Sequence, residues 1–569
     1  MILNKENDIK MNVNRFYLFT VLILILSISG CTSHITITGK NLKDSEIKFK
    51  NVIVMVPDGC SMSIQTLARL YKGADINLDK LHTGSVRTYS ANSVITDSAA
   101  AATAFATGHK TTSSFIGVAP RAEDLMPGVT PEVPPYFPLP TILEGAKLSG
   151  RSTGVVVTSV ISHATPSGFA AHSSSRFMPD DIMEQMVHQN LDVAFGGGMV
   201  HLLPEGQSFE TKDGKSWKGT RKDTEDLMDT LKSRGYSIIS SRDELQSINS
   251  EKVWGVFNDT DLVPDMDRDE LNPTQPSLAE MTKKAIEILS TNEKGFLMVV
   301  EGSQVDYAGH AHDPAYMVTE FLAFDEAVGV AVDFAKKNND TIVVIFPDHD
   351  TGGLSIGNNS EMGRKYSNTT VDTLITPLKN AEITIQGLLE LAYKDNNATV
   401  PEIQGLFQTK WKLTLNDAQA EEIVKLNKYP YGVADYISNN FTIIGWTTGG
   451  HSGVDVPLWV YTPENHSPFR GNIDNTDIAL NLAKMMDIDL NLVGNKLFVD
   501  ALSVFPGSKI IEDKTGRIFE TGNFRVPVNK NIVMDGGNTV TTKGVSVFIN
   551  EINKFFIPKD AVKVIQGEK

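Results

Sequence analysis

A serine at the head of a run of small residues is the feature of this sequence that most directly indicates chemistry. Residues 94–104 read VITDSAAAATA, so Ser98 opens a segment built largely from alanine. Asp97 and Ser98 are residue types that begin helices, and the first N–H groups of a helix lie at its positive dipole end, where anions bind. The pattern predicts a hydroxyl nucleophile that faces a phosphate-like anion, although a capped and tightly packed helix would explain this segment taken alone.

Four apolar runs of the sequence each lead to residues that bind metal ions. The runs begin near residues 51, 154, 296 and 341, and they lead to Asp58, His163, Glu301, and Asp348 with His349. Continuous apolar runs of this length are typical of parallel strands covered on both faces, and ligands bind beyond the carboxyl ends of such strands. One such carboxylate could simply cap the next helix. Four apolar runs that each lead to a metal-binding residue predict a polynuclear metal site.

The spacing of further histidines supports the same site. Asp306 and His310 lie four residues apart, so on a helical turn both side chains point the same way and supply half of a tetrahedral zinc site. His451 lies in a glycine-rich turn, where the backbone can pass close to a crowded centre. Nitrogen with carboxylate ligands suits Zn²⁺, and a group of oxygen ligands suits Mg²⁺.

Taken in chain order, these segments resemble the motif series of alkaline phosphatases. The series comprises Asp58 with Gly59, residues 96–100, residues 163–166 followed by Arg176, residues 301–310, Asp348 with His349, and residues 450–453. It spans roughly residues 50 to 460. Within the wider superfamily, Thr165, Arg176 and Glu301 together are similar to the monoesterase branch, so the resemblance implies hydrolysis of phosphate monoesters.

The resemblance also implies a ligand set for two Zn²⁺ ions and one Mg²⁺ ion. One zinc would be held by Asp306, His310 and His451; the second by Asp348, His349, Asp58 and the Ser98 oxygen; and the magnesium by Asp58, Thr165 and Glu301. Ser98 would attack phosphorus to form a phosphoserine, which water then hydrolyses. Arg176 would clamp two phosphate oxygens with its forked donors.

Two positions depart from the best-known bacterial pattern of the family. That pattern has an acid just before the Thr165 position and a lysine after the Asp306 position, whereas this chain has His163 and Tyr307. We expect His163 and Tyr307 to lie beside the ligands without replacing any of them. The departures therefore concern how tightly the third metal is held and how phosphate is contacted through water.

Two other functions are compatible with parts of the pattern. A phosphodiesterase of the same superfamily would share the two-metal ligands, but Arg176, Thr165 and Glu301 argue against it because they engage the third non-bridging oxygen that a diester lacks. A catalytically inactive envelope lipoprotein would use the fold for binding alone. Loss of activity usually deletes a nucleophile or a metal ligand, and the sequence has lost neither.

Length and periodicity predict an α/β protein, a three-layer α/β/α sandwich around a large, mostly parallel sheet. With 569 residues, the chain can form one catalytic domain with additions, expected over residues 50–504. A surface insertion is expected at about 356–445, with a helix over 417–427 capped by Asn416 or Asp417. Residues 505–569 predict a strand-rich C-terminal extension.

Net charge restricts the partners of the protein. The formal charge of −17 argues against a nucleic-acid partner and would repel an anionic substrate at long range, so local metal charge must attract small phosphate monoesters. The sequence leaves the oligomeric state open, and a homodimer is among the forms that the chain could adopt.

The first thirty residues predict a targeting segment. Lys10 and Arg15 precede an apolar run over 16–28, which is too short to span a membrane. Residues 28–31 resemble a bacterial lipobox, which implies a lipoprotein signal peptide over 1–30, cleavage before Cys31, and lipid on its thiol. Residues 31–49 would then form a tether. We therefore expect an exported protein anchored by lipid to a membrane of the bacterial cell envelope, with the periplasmic or surface face left open.

Overall fold

The computed structural model describes residues 48–568, apart from 365, 395–396, 428, 430, 464–466 and 515. The predicted signal peptide, Cys31 and all but the last two residues of the tether lie outside the described residues. Within the described part of the chain, no helix combines the length and apolar character needed to cross a membrane.

A ten-stranded sheet forms the centre of the fold. Its strands are β1 (Asn51–Pro57), β2 (His82–Arg87), β3 (Ser152–Val160), β4 (Val193–Gly197), β5 (Ser237–Ile239), β6 (Val253–Val256), β7 (Phe296–Gly302), β8 (Thr341–Ile345), β9 (Val456–Tyr461) and β10 (Gly471–Asp474). Their spatial order is β10-β2-β9-β8-β1-β7-β3-β4-β6-β5. Neighbouring strands are parallel except where β9 pairs antiparallel with β8 and β2, so the sheet is mostly parallel, as predicted.

The four strands that lead to the predicted metal ligands are direct neighbours in this sheet. Val54 of β1 is paired with Val344 of β8 on one side and with Val299 of β7 on the other, and Val299 is paired with Val155 of β3. Because these four strands are parallel and in step, their carboxyl ends meet at one edge of the sheet.

Helices cover both faces of the sheet, which gives the predicted α/β/α layers. One face carries Met62–Lys72, Leu278–Leu289 and Pro314–Lys337, and the other carries Ser98–Thr107 (the Ser98 helix), Ile142–Leu148, Ala164–Ala170 and Thr476–Met486. Local signals place their starts. Ser277 and Glu280 form a reciprocal capping box at the start of one helix, and Asp313 caps the longest helix just before Pro314.

The insertion is helical and has a small core of its own. Its helices are Glu361–Arg364, Val371–Lys379, Ile385–Ala392, Val400–Lys410, Asp417–Leu426 and Gly432–Phe441. Buried side chains such as Phe407, Trp411 and Ile423 pack together between them. The side chain of Asn416 accepts a hydrogen bond from the N–H of Gln419, which confirms the helix predicted from residue 417 and its cap.

The C-terminal extension is strand-rich, as predicted. Five antiparallel strands follow one another as β11 (Lys509–Asp513), β12 (Gly516–Thr521), β13 (Phe524–Pro527), β14 (Ile532–Asp535) and β15 (Asn538–Thr541). A further pair, Val547–Ile549 with Lys554–Ile557, precedes the helix Lys559–Gln566.

Shorter elements connect these parts. The helices are Pro179–His188, Leu227–Ser233, Arg242–Ser247, Arg268–Leu271, Gln304–Ala311, Leu490–Leu497 and Ala501–Val504, and the short strands are Ser208–Glu210, Ser216–Lys218, Asp350–Thr351, Ser355–Ile356, Ile444–Gly445, His451–Ser452 and Val499–Asp500.

Candidate active site

Ser98 is the first residue of a buried helix. Asp97 caps this helix by accepting a hydrogen bond from the N–H of Ala100 over 3.2 Å. Every residue of the Ser98 helix is buried, and a Cβ atom on Gly168 of the neighbouring helix would lie only 2.6 Å from Cβ of Ala102, so small side chains allow the two helices to pack closely. The Ser98 hydroxyl is thereby held at a fixed helix N-terminus, with its Oγ 3.1 Å from Nε2 of His349.

A glycine allows the backbone to turn sharply at the end of β1. Gly59 has φ of +70°, in the left-handed region, and a Cβ atom there would lie 2.7 Å from Oγ1 of Thr351 and 2.8 Å from Cα of Asp306. Any larger residue would therefore be both strained and too close to its neighbours. The glycine lets Asp58 and Asp306 approach one another at the sheet edge.

Two histidines present the same ring nitrogen to Asp306. Nδ1 of His310 lies 2.8 Å from the carbonyl oxygen of Gly449, and Nδ1 of His451 lies 2.8 Å from that of Thr96. Because a carbonyl only accepts, both rings carry a proton on Nδ1 and leave the Nε2 lone pair free. These Nε2 atoms lie 3.5 Å and 3.7 Å from the carboxylate oxygens of Asp306, as expected for a shared cation between them.

Thr351 links Asp306, which lies beside His310 and His451, to His349, which lies beside Asp348. Its hydroxyl donates a hydrogen bond to Asp306 and lies 3.3 Å from Nδ1 of His349, which therefore donates to it. This orients Nε2 of His349 towards Ser98 and towards Oδ2 of Asp348, 3.1 Å away. The ion pair with His349 lowers the pKa of Asp348 although burial alone would raise it.

Asp58 also belongs to a further group of candidate metal ligands, which it forms with His163 and Glu301. Asp58, His163 and Glu301 each offer a ligand atom, and these atoms lie within 4.8 Å of one another. Thr165 is also buried at this point. Burial, with the neighbouring carboxylates, raises the pKa of Asp58 well above its usual range, and burial raises the pKa of Glu301 to about 7.

Several buried oxygens of the site are without partners. Among the described residues, both carboxylate oxygens of Asp58 and of Glu301 and Oγ1 of Thr165 have no hydrogen-bond partner. A buried carboxylate without a partner is costly, and carboxylates this close repel one another. Bound cations would remove both costs, and the oxygen and imidazole donors are those that Zn²⁺ and Mg²⁺ use. The residues therefore fit a multinuclear metal centre.

Arg176 is held beside the start of the Ser98 helix from two directions. Its Nη1 donates to Oδ2 of Asp97 over 3.2 Å, and its Nη2 donates to Nε2 of His163 over 3.1 Å. Burial, followed by the positive charge of Arg176, lowers the pKa of His163 to about 3, so this ring is a neutral acceptor. The guanidinium keeps further N–H donors for an anion at Ser98.

The structure brings all the sequence-predicted site residues of the described chain to one edge of the sheet, and it adds several groups. Tyr307 lies with its ring centroid 6.0 Å from that of His163, and its hydroxyl donates to Asp261. Thr351 and the carbonyls of Thr96 and Gly449 had no recognisable pattern in the sequence. The sequence signal at Asp97 indicated a helix cap only.

Comparisons with known proteins agree on one family. A family model described as Alkaline phosphatase matches residues 49–488. Alkaline phosphatase 3 of Bacillus subtilis is 32% identical, over 79% of this chain and 92% of the relative, and the Escherichia coli alkaline phosphatase is 33% identical, over 53% and 70%.

Solved structures give the same result. The Thermus thermophilus alkaline phosphatase aligns with a TM-score of 0.67 at 25% identity, covering 78% of this chain and 92% of that chain. The cold-active enzyme of a psychrophilic Shewanella aligns with a TM-score of 0.62 at 28% identity, covering 77% and 99%. An engineered variant of the alkaline phosphatase from the Antarctic bacterium TAB5 aligns at 0.53 and 26%, covering 78% and 99%.

Proposed function

We propose that this chain, which belongs to the alkaline phosphatase family and is a phosphoric monoester hydrolase, acts through a covalent phosphoserine on Ser98. The observation that carries the proposal is the position of the Ser98 hydroxyl. It lies at the N-terminus of a buried helix, 3.1 Å from Nε2 of His349 and beside the ligand groups with unpartnered carboxylates. This is a nucleophile placed where an anion and cations would meet.

The proposed reaction has two displacements at phosphorus. In the first, the Ser98 hydroxyl gives up its proton and its oxygen forms a bond to phosphorus as the bond to the alcohol oxygen breaks, and that alcohol oxygen takes up a proton. In the second, water attacks the phosphoserine, releases inorganic phosphate and restores the Ser98 hydroxyl.

Arg176 would bind the phosphoryl group throughout. Asp97 and His163 each accept a hydrogen bond from one of its N–H donors and fix the guanidinium plane. The remaining donors are therefore already oriented for the phosphoryl group. Two oxygens of a monoester dianion would accept these hydrogen bonds. A diester has one non-bridging oxygen fewer and would gain less from the same arrangement.

We also propose that the three ligand groups hold two zinc ions and one magnesium ion. The zinc ligands would be Asp306, His310 and His451 for one ion, and Asp58, Asp348, His349 and Ser98 for the other; Asp58, Thr165 and Glu301 would hold magnesium. When bound, the ions would supply positive charge that acidifies the Ser98 hydroxyl and neutralises the leaving alcohol. The support for magnesium as the third ion is the chemistry of Asp58, Thr165 and Glu301, whose side chains offer only oxygen ligands.

The N-terminal prediction remains a proposal about location. A signal peptide over 1–30 and lipid on Cys31 would place the enzyme in the bacterial cell envelope, where it would act on small phosphate monoesters. The support is the lipobox-like sequence at residues 28–31.

Steady-state assays on one phosphate monoester and one phosphodiester test the proposed function. We expect the wild type to prefer the monoester and Ser98→Ala to lose nearly all activity, with zinc still bound by the remaining ligands in elemental analysis. Ser93→Ala is the matched control, because Ser93 lies in the preceding loop and its hydroxyl only accepts from the N–H of Ile95. A Ser98→Ala enzyme within a few fold of wild type, or a protein that binds no zinc, would overturn the proposal.

A further inference from the structure

Large apolar side chains are concentrated around the candidate active site. Sixteen large hydrophobic residues are exposed in the described part of the chain. Five of them lie within four residues of Ser98, Arg176 or His451: Val94, Ile95, Phe177, Met178 and Val454. Exposed hydrophobic residues scattered singly need no explanation, but a cluster at the mouth of a site indicates a ligand surface.

The first patch consists of Val94, Ile95 and Val454. The two segments lie side by side, because a Cβ atom on Gly453 would lie 3.1 Å from the carbonyl oxygen of Val94 and 3.4 Å from Cγ1 of Ile95. The hydrogen bond from Nδ1 of His451 to the carbonyl of Thr96 ties the same two segments to the site. This patch is therefore continuous with the residues around Ser98.

The second patch consists of Phe177 and Met178. Phe177 directly follows Arg176 and is 76% exposed, the second most exposed of the sixteen. The segment is anchored by the hydrogen bond from the N–H of Arg176 to the carbonyl of Ser114, while the N–H of Ser114 donates to Asp97. Hydrogen bonds of residues adjacent to both patches thus hold the two segments near the start of the Ser98 helix.

The charged residues that directly follow each patch in the sequence are acidic. Asp180 and Asp181 follow Met178, and Asp455 follows Val454. The net charge of −17 would repel an alcohol group that carries negative charge of its own.

We propose that the two patches form a subsite for the alcohol portion of the substrate and favour phosphate monoesters of uncharged, apolar alkyl or aryl alcohols over those of polar or anionic alcohols. The inference rests on the proposed function, since it names the substrate class of the Ser98 site. The phosphoryl group would lie at Ser98 and Arg176, and the apolar chain would lie against the patches as it leaves the site.

Hexyl phosphate and glycerol 1-phosphate test this subsite, because both are esters of primary alcohols and differ mainly in polarity. We expect kcat/KM of the wild type to be about 3- to 10-fold higher for hexyl phosphate, since an open surface covers only part of the chain. Phe177→Ser and the double variant Val94→Ser with Val454→Ser should each move this ratio towards one.

Leu492→Ser is the matched control. Leu492 is 56% exposed on the helix Leu490–Leu497, outside the patches, and its replacement should leave the ratio at the wild-type value. The ratio of inhibition constants for hexylphosphonate and methylphosphonate measures the same preference without turnover. A wild-type ratio of one or below, patch variants with the wild-type ratio, or an equal fall in Leu492→Ser would overturn the subsite. Absence of hydrolysis of both esters would instead count against the proposed function.

Discussion

Arg176 donates a hydrogen bond to Nε2 of His163 over 3.1 Å while its other terminal nitrogen donates to Asp97. The ring of His163 also belongs to the group formed with Asp58 and Glu301. One imidazole therefore connects the phosphate-binding side chain to the third candidate metal group. The position of the guanidinium depends on two acceptors that are themselves fixed within the site.

Removal of Arg176 should reduce monoester hydrolysis selectively. Hydrogen bonds to charged groups are worth about 1.5–3 kcal/mol, so we expect Arg176→Ala to lower kcat/KM for a monoester by roughly 10- to 100-fold. The diester rate should fall less. The measurement is the ratio of the two kcat/KM values, with metal content checked in the same samples. Arg121→Ala, which breaks a partly exposed pair with Asp124, should leave the ratio unchanged. An Arg176→Ala enzyme with the wild-type ratio would show that Arg176 does not set the preference.

Asp58→Asn should stabilise the metal-free protein while weakening metal binding. Asp58 is fully buried near Asp348, Asp306 and Glu301, and after chelation no metal ion offsets their repulsion. At pH 8 to 9 we expect the chelated variant to be about 1–3 kcal/mol more stable than chelated wild type, and to gain less stability when Zn²⁺ and Mg²⁺ are restored. Thermal unfolding with and without the ions measures both effects. Asp333→Asn, at an exposed position, should change neither; a chelated Asp58→Asn protein less stable than wild type would argue against the charge repulsion.

Much of the site could be predicted from the sequence because its chemistry follows strand ends. Asp58 and Glu301 lie at the ends of uninterrupted apolar strands, and Asp306 and His310 share a helical turn, so local patterns indicated them. The sequence did not predict that four adjacent strands lead to Asp58, His163, Glu301 and Asp348. Strand order depends on the crossover connections between strands, which leave no local pattern.

The features of the site that the sequence did not predict are those that depend on long-range contacts. The second role of Asp97 joins residues 79 positions apart, and the hydroxyl of Thr351 acts only through Asp306 and His349. Neither leaves a local pattern in the sequence. Most helices of the insertion were likewise not predicted, apart from the one that Asn416 caps with a recognisable signal.

Glu320 should make the stability of the fold decrease as pH rises. Burial, followed by the charge of Asp265, raises the pKa of Glu320 to about 8. The folded protein keeps this proton up to about pH 8, whereas the unfolded chain releases it near its ordinary pKa of about 4.3. The stability that Glu320 contributes is fully present below the pKa that it has in the unfolded chain. It is lost as the pH rises from that value to the pKa in the folded protein.

Glu320→Gln removes this titration and keeps an acceptor for the N–H of Asp265. The free energy of unfolding of the variant relative to wild type should therefore rise with pH up to about 8, by at most about 1.4 kcal/mol per pH unit. Urea denaturation from pH 5 to 9 measures it, with the exposed Glu326→Gln on the same helix as control. Parallel curves for wild type and Glu320→Gln would exclude a role for this carboxyl.

Cys31→Ser should prevent attachment of lipid to the protein. The sequence has two cysteines, and Cys60 is buried, so the thiol of Cys31 is the expected acceptor. Metabolic labelling with a radioactive fatty acid should mark wild type and Cys60→Ser but not Cys31→Ser. Equal labelling of Cys31→Ser would place the anchor elsewhere.

The most direct test of the central claim is trapping of the phosphoenzyme at Ser98. Wild-type protein mixed with ³²P-labelled monoester and quenched in acid should carry an acid-stable label on the peptide that contains Ser98, because a phosphoserine survives acid while bound metal ions are lost. Ser93→Ala should be labelled as strongly as wild type, and Ser98→Ala should carry no label. Equal labelling of Ser98→Ala, or label on a peptide without Ser98, would contradict the assignment of the nucleophile.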